Sequence, residues 1–275
     1  EERNNDRSFL LAGIGLSYKP KEAFEVYANF SQNYRSINFN DMRIDNPNYK
    51  VDPNLQDERG FSADIGIRGN KNNWFNYDIS LFYLSYQGRI GTTLKVDSVL
   101  FRPFRFRTNI SDSRNVGLES FAEVNLLALA GKKSTKKSLS IFSNFSFIQA
   151  QYINSEEAAF EGKEVELVPK IIFKGGLSYR VKDFQISYQY SYTSEHFSDA
   201  TNADFSANAV FGTIPAYSIM DLSAKYLYQK KWTLESGINN LLDERYFTRR
   251  ASGYPGPGII PSDARNFYLT VGVKL

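Results

Sequence analysis

The chain has 275 residues and a formal net charge of +3, too small a basic excess to argue for a nucleic-acid partner. It has no apolar run near the roughly 18 residues that a membrane helix needs, which excludes a helical membrane protein. With no cysteine it has neither disulfides nor thiolate metal sites, and the redox compartment stays open.

The 18 Tyr and 22 Phe, beside 2 Met and 2 Trp, favour strands and suit surfaces that meet both lipid and water. The first residues, EERNNDRS, are charged and unlike a signal peptide, so either a targeting segment has been removed or the chain is a piece of something longer. From Ser8 to Lys19, Leu10, Ala12, Ile14, Leu16 and Tyr18 alternate with Gly13, Gly15 and Ser17. After KPKE, Phe24, Val26, Ala28 and Phe30 resume the period of two, which predicts a hairpin. A polar stretch from about Tyr34 to Asp57, with Pro47 and Pro53, leads to a second strand pair joined by NKNN. Phe61, Ala63, Ile65 and Ile67 mark one member; Phe75, Tyr77, Ile79, Leu81 and Tyr83 mark the other.

The same unit recurs around GKKSTKKS, VKD and QKK, with short turns near positions 20, 71, 134, 183 and 230 and longer Asn-, Asp-, Ser-, Gly- and Pro-rich connections between units. The last segment places Phe267, Leu269, Val271, Val273 and Leu275 on one face. A soluble β-sandwich also alternates. Three features favour an antiparallel transmembrane β-barrel instead: strands of about ten residues or more, loop lengths that differ between the two ends, and Trp74, Phe184 and Trp232 just after short turns, where an aromatic girdle falls. Lipid cannot satisfy the backbone groups of an open edge, so such a sheet closes. About eleven strands is an odd count, whereas bacterial single-chain barrels have an even one. The expectation is therefore an all-β fold whose residues 1–275 form the C-terminal part of a larger barrel; a mature protein that begins naturally at Glu1 would overturn it.

The tail NNLLDERYFTRR, followed by GYPGPGIIPSDARNFYLTVGVKL, resembles the end of TonB-dependent outer-membrane receptors. Asn240, Leu241, Asp243, Tyr246, Pro255, Gly256 and Arg265 match the family pattern, while Leu242, Ala264 and Leu275 stand where Phe, Gly and a terminal Phe are usual. NYRSINFNDM and VDPNLQDERGFSADIGIRG are similar to the family's paired boxes. Tyr34 and Arg35 fit the first, from which Ser36 and Ile37 depart; Pro53, Leu55 and Glu58 fit the second, with Asp52 in place of Asn. The resemblance implies a 22-stranded barrel with a plugged lumen, of which this chain is the C-terminal half, without the N-terminal plug, the energy-coupling box or the first half of the barrel. It further implies an active-transport receptor of the bacterial outer membrane, surrounded by lipid and served by a TonB-type energy-coupling protein acting through the N-terminal part. No cofactor is expected.

The segment FRPFRFRTN, read as a long loop, sets Arg102, Arg105 and Arg107 between Phe101, Phe104 and Phe106. Guanidinium groups bind carboxylates and phosphates in bidentate fashion, so an anionic ferric siderophore or ferric citrate suits them; the plainer reading is a solvated or lipopolysaccharide-facing loop. Arg249, Arg250 and Tyr254 form a second candidate and Tyr34 with Arg35 a third, although loop arginines often pair with carboxylates such as Asp243 and Glu244. Some haem receptors of the family carry an iron-ligating His between the boxes. None lies between Tyr34 and Leu55, so haem is disfavoured and His196 reads as an ordinary loop residue. Asp64, Glu119, Glu123, Lys174, Arg180, Asp221, Lys225 and Glu235 oppose the apolar face, as a wet lumen requires. No catalytic set, phosphate cradle or metal-ligand spacing points to an enzyme. The ligand alternatives are an oligosaccharide or cobalamin, and the alternative class is a passive porin or structural barrel.

Overall fold

The computed structural model describes residues 8–44, 48–72, 74–132, 136–155, 159–207, 209–251 and 257–274. Its strands are β1 (Gly13–Lys21), β2 (Phe24–Arg35), β3 (Tyr49–Val51), β4 (Glu58–Lys71), β5 (Phe75–Val96), β6 (Pro103–Asn125), β7 (Lys137–Ile153), β8 (Ile171–Val181) and β9 (Phe184–Thr193). They continue as β10 (His196–Phe197), β11 (Thr213–Ile214), β12 (Tyr217–Tyr228), β13 (Trp232–Asn239), β14 (Phe247–Ala251), β15 (Gly258–Pro261) and β16 (Asn266–Val273), with two one-turn helices, α1 (Phe39–Met42) and α2 (Leu126–Leu129). Eleven of these strands form one antiparallel path, β1-β2-β4-β5-β6-β7-β8-β9-β12-β13-β16, while β10–β11 and β14–β15 are small ribbons in the long connections. Among the described residues the two ends of the path, β1 and β16, are not paired with each other. The short turns near positions 20, 71, 183 and 230 fall where the sequence sets them, and the one expected near 134 lies outside the described residues.

Register follows from the period of two, because a one-residue slip would turn every apolar side chain to the wrong face. One row of directly opposed residues runs Phe75, Val124, Ile141, Leu177, Tyr188, Leu222, Ile238, Phe267 across the sheet. The next row on the other face runs Asn125, Ser140, Ser178, Ser187, Ser223, Gly237, Tyr268. The apolar face is the open one: Ile65 and Leu81 are each 55% exposed and Phe267 is 71% exposed. Burying a large apolar side chain is worth about 1.5–3 kcal/mol. A face of this size left in water would forgo more than the whole stability of an ordinary domain, about 5–15 kcal/mol. No second layer covers it among the described residues, which is unlike a sandwich and fits a wall that meets lipid.

On the polar face, aromatic rings lie over directly opposed glycines: Tyr27 over Gly66, Phe82 over Gly117, Phe142 over Gly176 and Tyr268 over Gly237. A cross-strand aromatic shields the backbone that the glycine leaves bare. The buried apolar cluster of Ile110, Ala150, Tyr152, Phe160 and Val165 forms where residues 159–170 fold against the upper part of β7, with Tyr152 N–H donating to Lys163 O (2.8 Å).

One expectation is corrected. The segment around FRPFRFRTN is strand rather than loop: β5 and β6 have 22 and 23 residues, and their ladder continues to Val96↔Pro103. A transmembrane strand needs only about 9–11 residues, so the rest of the hairpin stands clear as an arm, and β3 adds a parallel third strand to it through Tyr49↔Arg105 and Val51↔Arg107. Proline and arginine suggest a loop, but Phe104 and Phe106 alternate with Arg105 and Arg107 in strand period. Their rings are covered by Lys50 (4.3 Å to the Phe104 centroid) and Lys95 (4.5 Å to the Phe106 centroid) rather than by lipid.

Candidate ligand-binding site

The sequence-derived candidates gather at the long-loop end of the sheet. After β2, Asn38 caps α1: its side chain accepts from Asn40 N–H (2.9 Å), and its own N–H donates to Asp41 Oδ2 (3.0 Å), a reciprocal capping box. The box aims Asp41, which is 1% exposed, at two arginines. Arg35 donates to both Asp41 oxygens (2.9 Å each) and to Glu58 (2.8 Å), and Arg107 of β6 donates to Asp41 Oδ1 (2.6 Å) and to Thr92 (3.2 Å). Glu58 also accepts from Ile90 N–H at 2.9 Å. This latch ties β2, α1, β4 and the arm together. Burial opposes ionisation of Asp41, but Arg107, the Asn38 N–H and Arg35 outweigh it and hold the carboxyl below its usual range. Tyr34 donates to Asp57, which also accepts from Ile37 N–H (2.9 Å). Tyr34, Arg35 and Arg107 therefore brace the rim.

Beyond the latch the arm closes on itself at Asp97, whose carboxylate accepts from Val99 and Leu100 N–H (3.0 Å each) and meets Lys50 Nζ at 3.1 Å. The Leu100 and Val99 N–H groups and Lys50 hold it at about 2. Arg102 is exposed at this tip. Arg105, on the same strand face as Arg107, lays its guanidinium 5.2 Å from the centroid of Phe211 in the β9–β12 connection. Arg250 of β14 holds the same connection, donating to Ala209 O (2.9 Å) and Thr213 O (2.7 Å), and Arg249 beside it is exposed. Arm, β9–β12 connection and β14–β15 ribbon thus form one canopy. Tyr254 lies outside the described residues.

The arginines divide sharply. Arg35 and Arg107 are neutralised by carboxylates, and Arg250 is satisfied by backbone carbonyls; among the described residues Arg102, Arg105 and Arg249 have no carboxylate partner. The expected pairing of Arg249 or Arg250 with Asp243 or Glu244 does not form. Asp243 instead accepts from Arg265 N–H (2.9 Å) and pairs with Arg245 (3.2 Å), held there by a positive φ of 57° in its turn. The matching tail residue Asn240, 3% exposed, bonds Asp221, Glu244 and Asp263 and is structural. His196 is buried and donates from Nδ1 to Ser194 O (3.0 Å). Asp41, Lys50 and Phe211 give no signal in the sequence because Arg107, Phe104 and Arg105, which they meet, lie far along the chain, and Lys95 gives none because its segment reads as a loop. No cluster of three or more metal-ligating side chains occurs among the described residues.

An antiparallel meander with lipid on one face, hydroxyls and charges on the other, short turns at one end and a canopy at the other is the wall of a transmembrane β-barrel with its extracellular loops. The chain belongs to the TonB dependent receptor-like β-barrel family, whose model matches residues 2–241, and the barrels of that family lie in the bacterial outer membrane. It is 21% identical over 288 residues to the probable TonB-dependent siderophore receptor PiuA of Acinetobacter baumannii, covering 98% of this chain and 34% of that protein. It is 23% identical over 269 residues to the metal-pseudopaline receptor CntO of Pseudomonas aeruginosa, covering 94% and 32%. Among solved structures, the ferric citrate transporter FecA in its unliganded form superposes with a TM-score of 0.73 at 18% identity, over 94% of this chain and 37% of that one. The chain spans about a third of the length of the curated relatives it matches. These relatives are transport receptors rather than enzymes.

Proposed function

We propose that this chain supplies the C-terminal wall and much of the canopy of a receptor that captures an anionic metal chelate, a ferric siderophore or ferric citrate, and imports it across the outer membrane. The N-terminal plug, the first half of the barrel and the segment that meets a TonB-type energy-coupling protein belong to other parts of the receptor. One observation carries the choice of ligand: Arg102, Arg105 and Arg249 are cationic, lie at the canopy and have no carboxylate among the described residues to neutralise them. A planar guanidinium recognises the oxygens of such a chelate in bidentate fashion. The ligands for which the relatives are named, siderophore, metal-pseudopaline and ferric citrate, belong to the same chemical class.

The test uses the full-length receptor. A charge-assisted hydrogen bond contributes about 1.5–3 kcal/mol, so combining Arg102→Ala, Arg105→Ala and Arg249→Ala is expected to weaken binding of the ferric chelate by at least about tenfold. Unchanged affinity in calorimetry, with ferric citrate and a ferric siderophore tried separately, would remove these residues from the site.

A further inference from the structure

A second set of arginines, without carboxylate partners among the described residues, stands on the lipid-facing side of the sheet, at a height that the strands themselves fix. A barrel strand crosses the apolar layer in about 9–11 residues. Measured up from the short-turn ends of β4, β5 and β6, that length brings the layer's edge to the neighbourhood of Phe61, Ser85 and Asn115. Just at and beyond this edge lie Arg59 and Arg114. Both share the outward face with Ile65 and Val116: Arg59 is two residues from Phe61, and the register sets Phe61 opposite Ser85 and Ser85 opposite Arg114. From strand spacing and rise their Cα atoms are about 12 Å apart.

Below them an aromatic ladder runs along the lipid face, with Phe30 and Phe61 centroids 5.6 Å apart and Phe61 and Tyr83 centroids 5.5 Å apart. Both arginines are exposed, and neither has a carboxylate partner among the described residues; Arg114 reaches only Gln151 Oε1 at 3.5 Å. The acids of the same rim are already occupied. Asp57 accepts from Tyr34 and Ile37, Asp52 from Thr108 and Asn54, and Asp112 from Gly88 and Asn154. A polar cleft of about 820 Å³ opens beside Arg59, lined in part by Asn54, Gln56 and Gln87.

We propose that Arg59 and Arg114 bind the phosphate groups of a phosphorylated lipid of the outer leaflet, whose acyl chains lie against the Phe30, Phe61 and Tyr83 ladder. Phosphate is the anion that a bilayer presents at this height, and guanidinium groups clamp it with paired hydrogen bonds. The stems of the two arginines stay in the apolar zone while their heads reach the polar one. Basic residues at the edge of a membrane wall recruit anionic head groups in this way. The site depends on the sheet crossing the membrane and not on which chelate is carried, so loss of chelate binding leaves it standing.

The experiment is native mass spectrometry of the full-length receptor released from detergent, titrated with bis-phosphorylated lipid A and, in parallel, with enzymatically dephosphorylated lipid A. The wild type is expected to retain the phosphorylated form at least about tenfold more tightly. Arg59→Ala with Arg114→Ala is expected to abolish that preference without changing retention of the dephosphorylated form, and Arg59→Lys with Arg114→Lys to restore part of it. Equal retention of the two lipids by the wild type, or an undiminished preference in the double alanine variant, overturns the proposal. So does full displacement of the lipid by millimolar inorganic phosphate, which would mark a free-anion site instead. Both side chains are exposed, and an unchanged melting temperature confirms that the variants fold.

Discussion

Between β4 and β16 the membrane wall is held by backbone ladders, and its side chains are interchangeable in kind: Ile141, Leu177, Tyr188, Leu222 and Ile238 share one row and need only be apolar. In the canopy single side chains decide the structure. Asp41 gathers Arg35 and Arg107, Arg250 holds Ala209 and Thr213, and Asn202 clasps the 159–170 segment through Glu164 N–H (2.6 Å) and Glu164 O (2.8 Å). The difference teaches where variation is tolerated. The wall accepts any residue that keeps the alternation and fails where the backbone itself has no room; the canopy keeps its backbone and fails where a charge loses its counterpart.

The largest expected effect probes the wall. A Cβ at Gly117 would lie 2.5 Å from the Phe147 carbonyl oxygen and 2.5 Å from the Phe82 ring, and the carbonyl belongs to a ladder that cannot yield. Gly117→Val is expected to cost about 3 kcal/mol, read as a lower urea midpoint for the folded species of the full-length receptor on unheated gels. Leu118→Ile, on the lipid face beside it, should leave the midpoint unchanged. Equal midpoints for the two variants would dissolve the contrast.

The next effect belongs to the latch. Asp41→Asn leaves Arg35 and Arg107 short of a counter-charge. Breaking a buried pair costs about 3–5 kcal/mol, and because these arginines are 36% and 22% exposed about 2 kcal/mol of local stability is the fitting expectation. Faster amide exchange at Lys50 and Val51, with that of β8 and β9 unchanged, is the readout. Since the folded state lowers the Asp41 pKa, its contribution is fully present above the ordinary Asp value and is lost as pH falls through the lowered one. The wild-type arm should keep its slow exchange at pH 5–7 and lose it only below about pH 4; loosening already at pH 6 would assign the latch to another group.

The smallest effect is expected at Lys225 and Glu235, directly opposed on the polar face and ion-paired, with side chains 52% and 36% exposed. Exposed pairs contribute about 0–1 kcal/mol. Lys225→Gln should move the urea midpoint little, and a shift as large as that of Gly117→Val would mean that the wall also depends on its charges.

The same contrast governs what could be read from the sequence. The wall was legible because it is periodic: each strand states its own facing, and neighbouring strands must agree on it. Short turns such as that between β8 and β9, where Lys182 adopts a φ of 52°, announce themselves in VKD. The canopy was legible only in part. Arg35 and Arg107 stood out as guanidiniums, but the carboxylate that neutralises both sits in a one-turn helix, and the contact of Arg105 with Phe211 joins residues more than a hundred positions apart. The arm reads as a loop in the sequence because its alternation is basic and aromatic, and the lysines that lie over its rings, Lys50 and Lys95, come from the strands beside β6.

The row Ser140, Ser178, Ser187 and Ser223 gives the inner wall a further property. Each hydroxyl can donate or accept, and Ser178 and Ser187 share one hydrogen bond at 3.1 Å in which either can be the donor. A hydrated solute beside this row can exchange partners of either polarity from one strand to the next, with no fixed charge on the row to arrest it. The row thus offers neutral, exchangeable hydrogen-bond partners across four neighbouring strands.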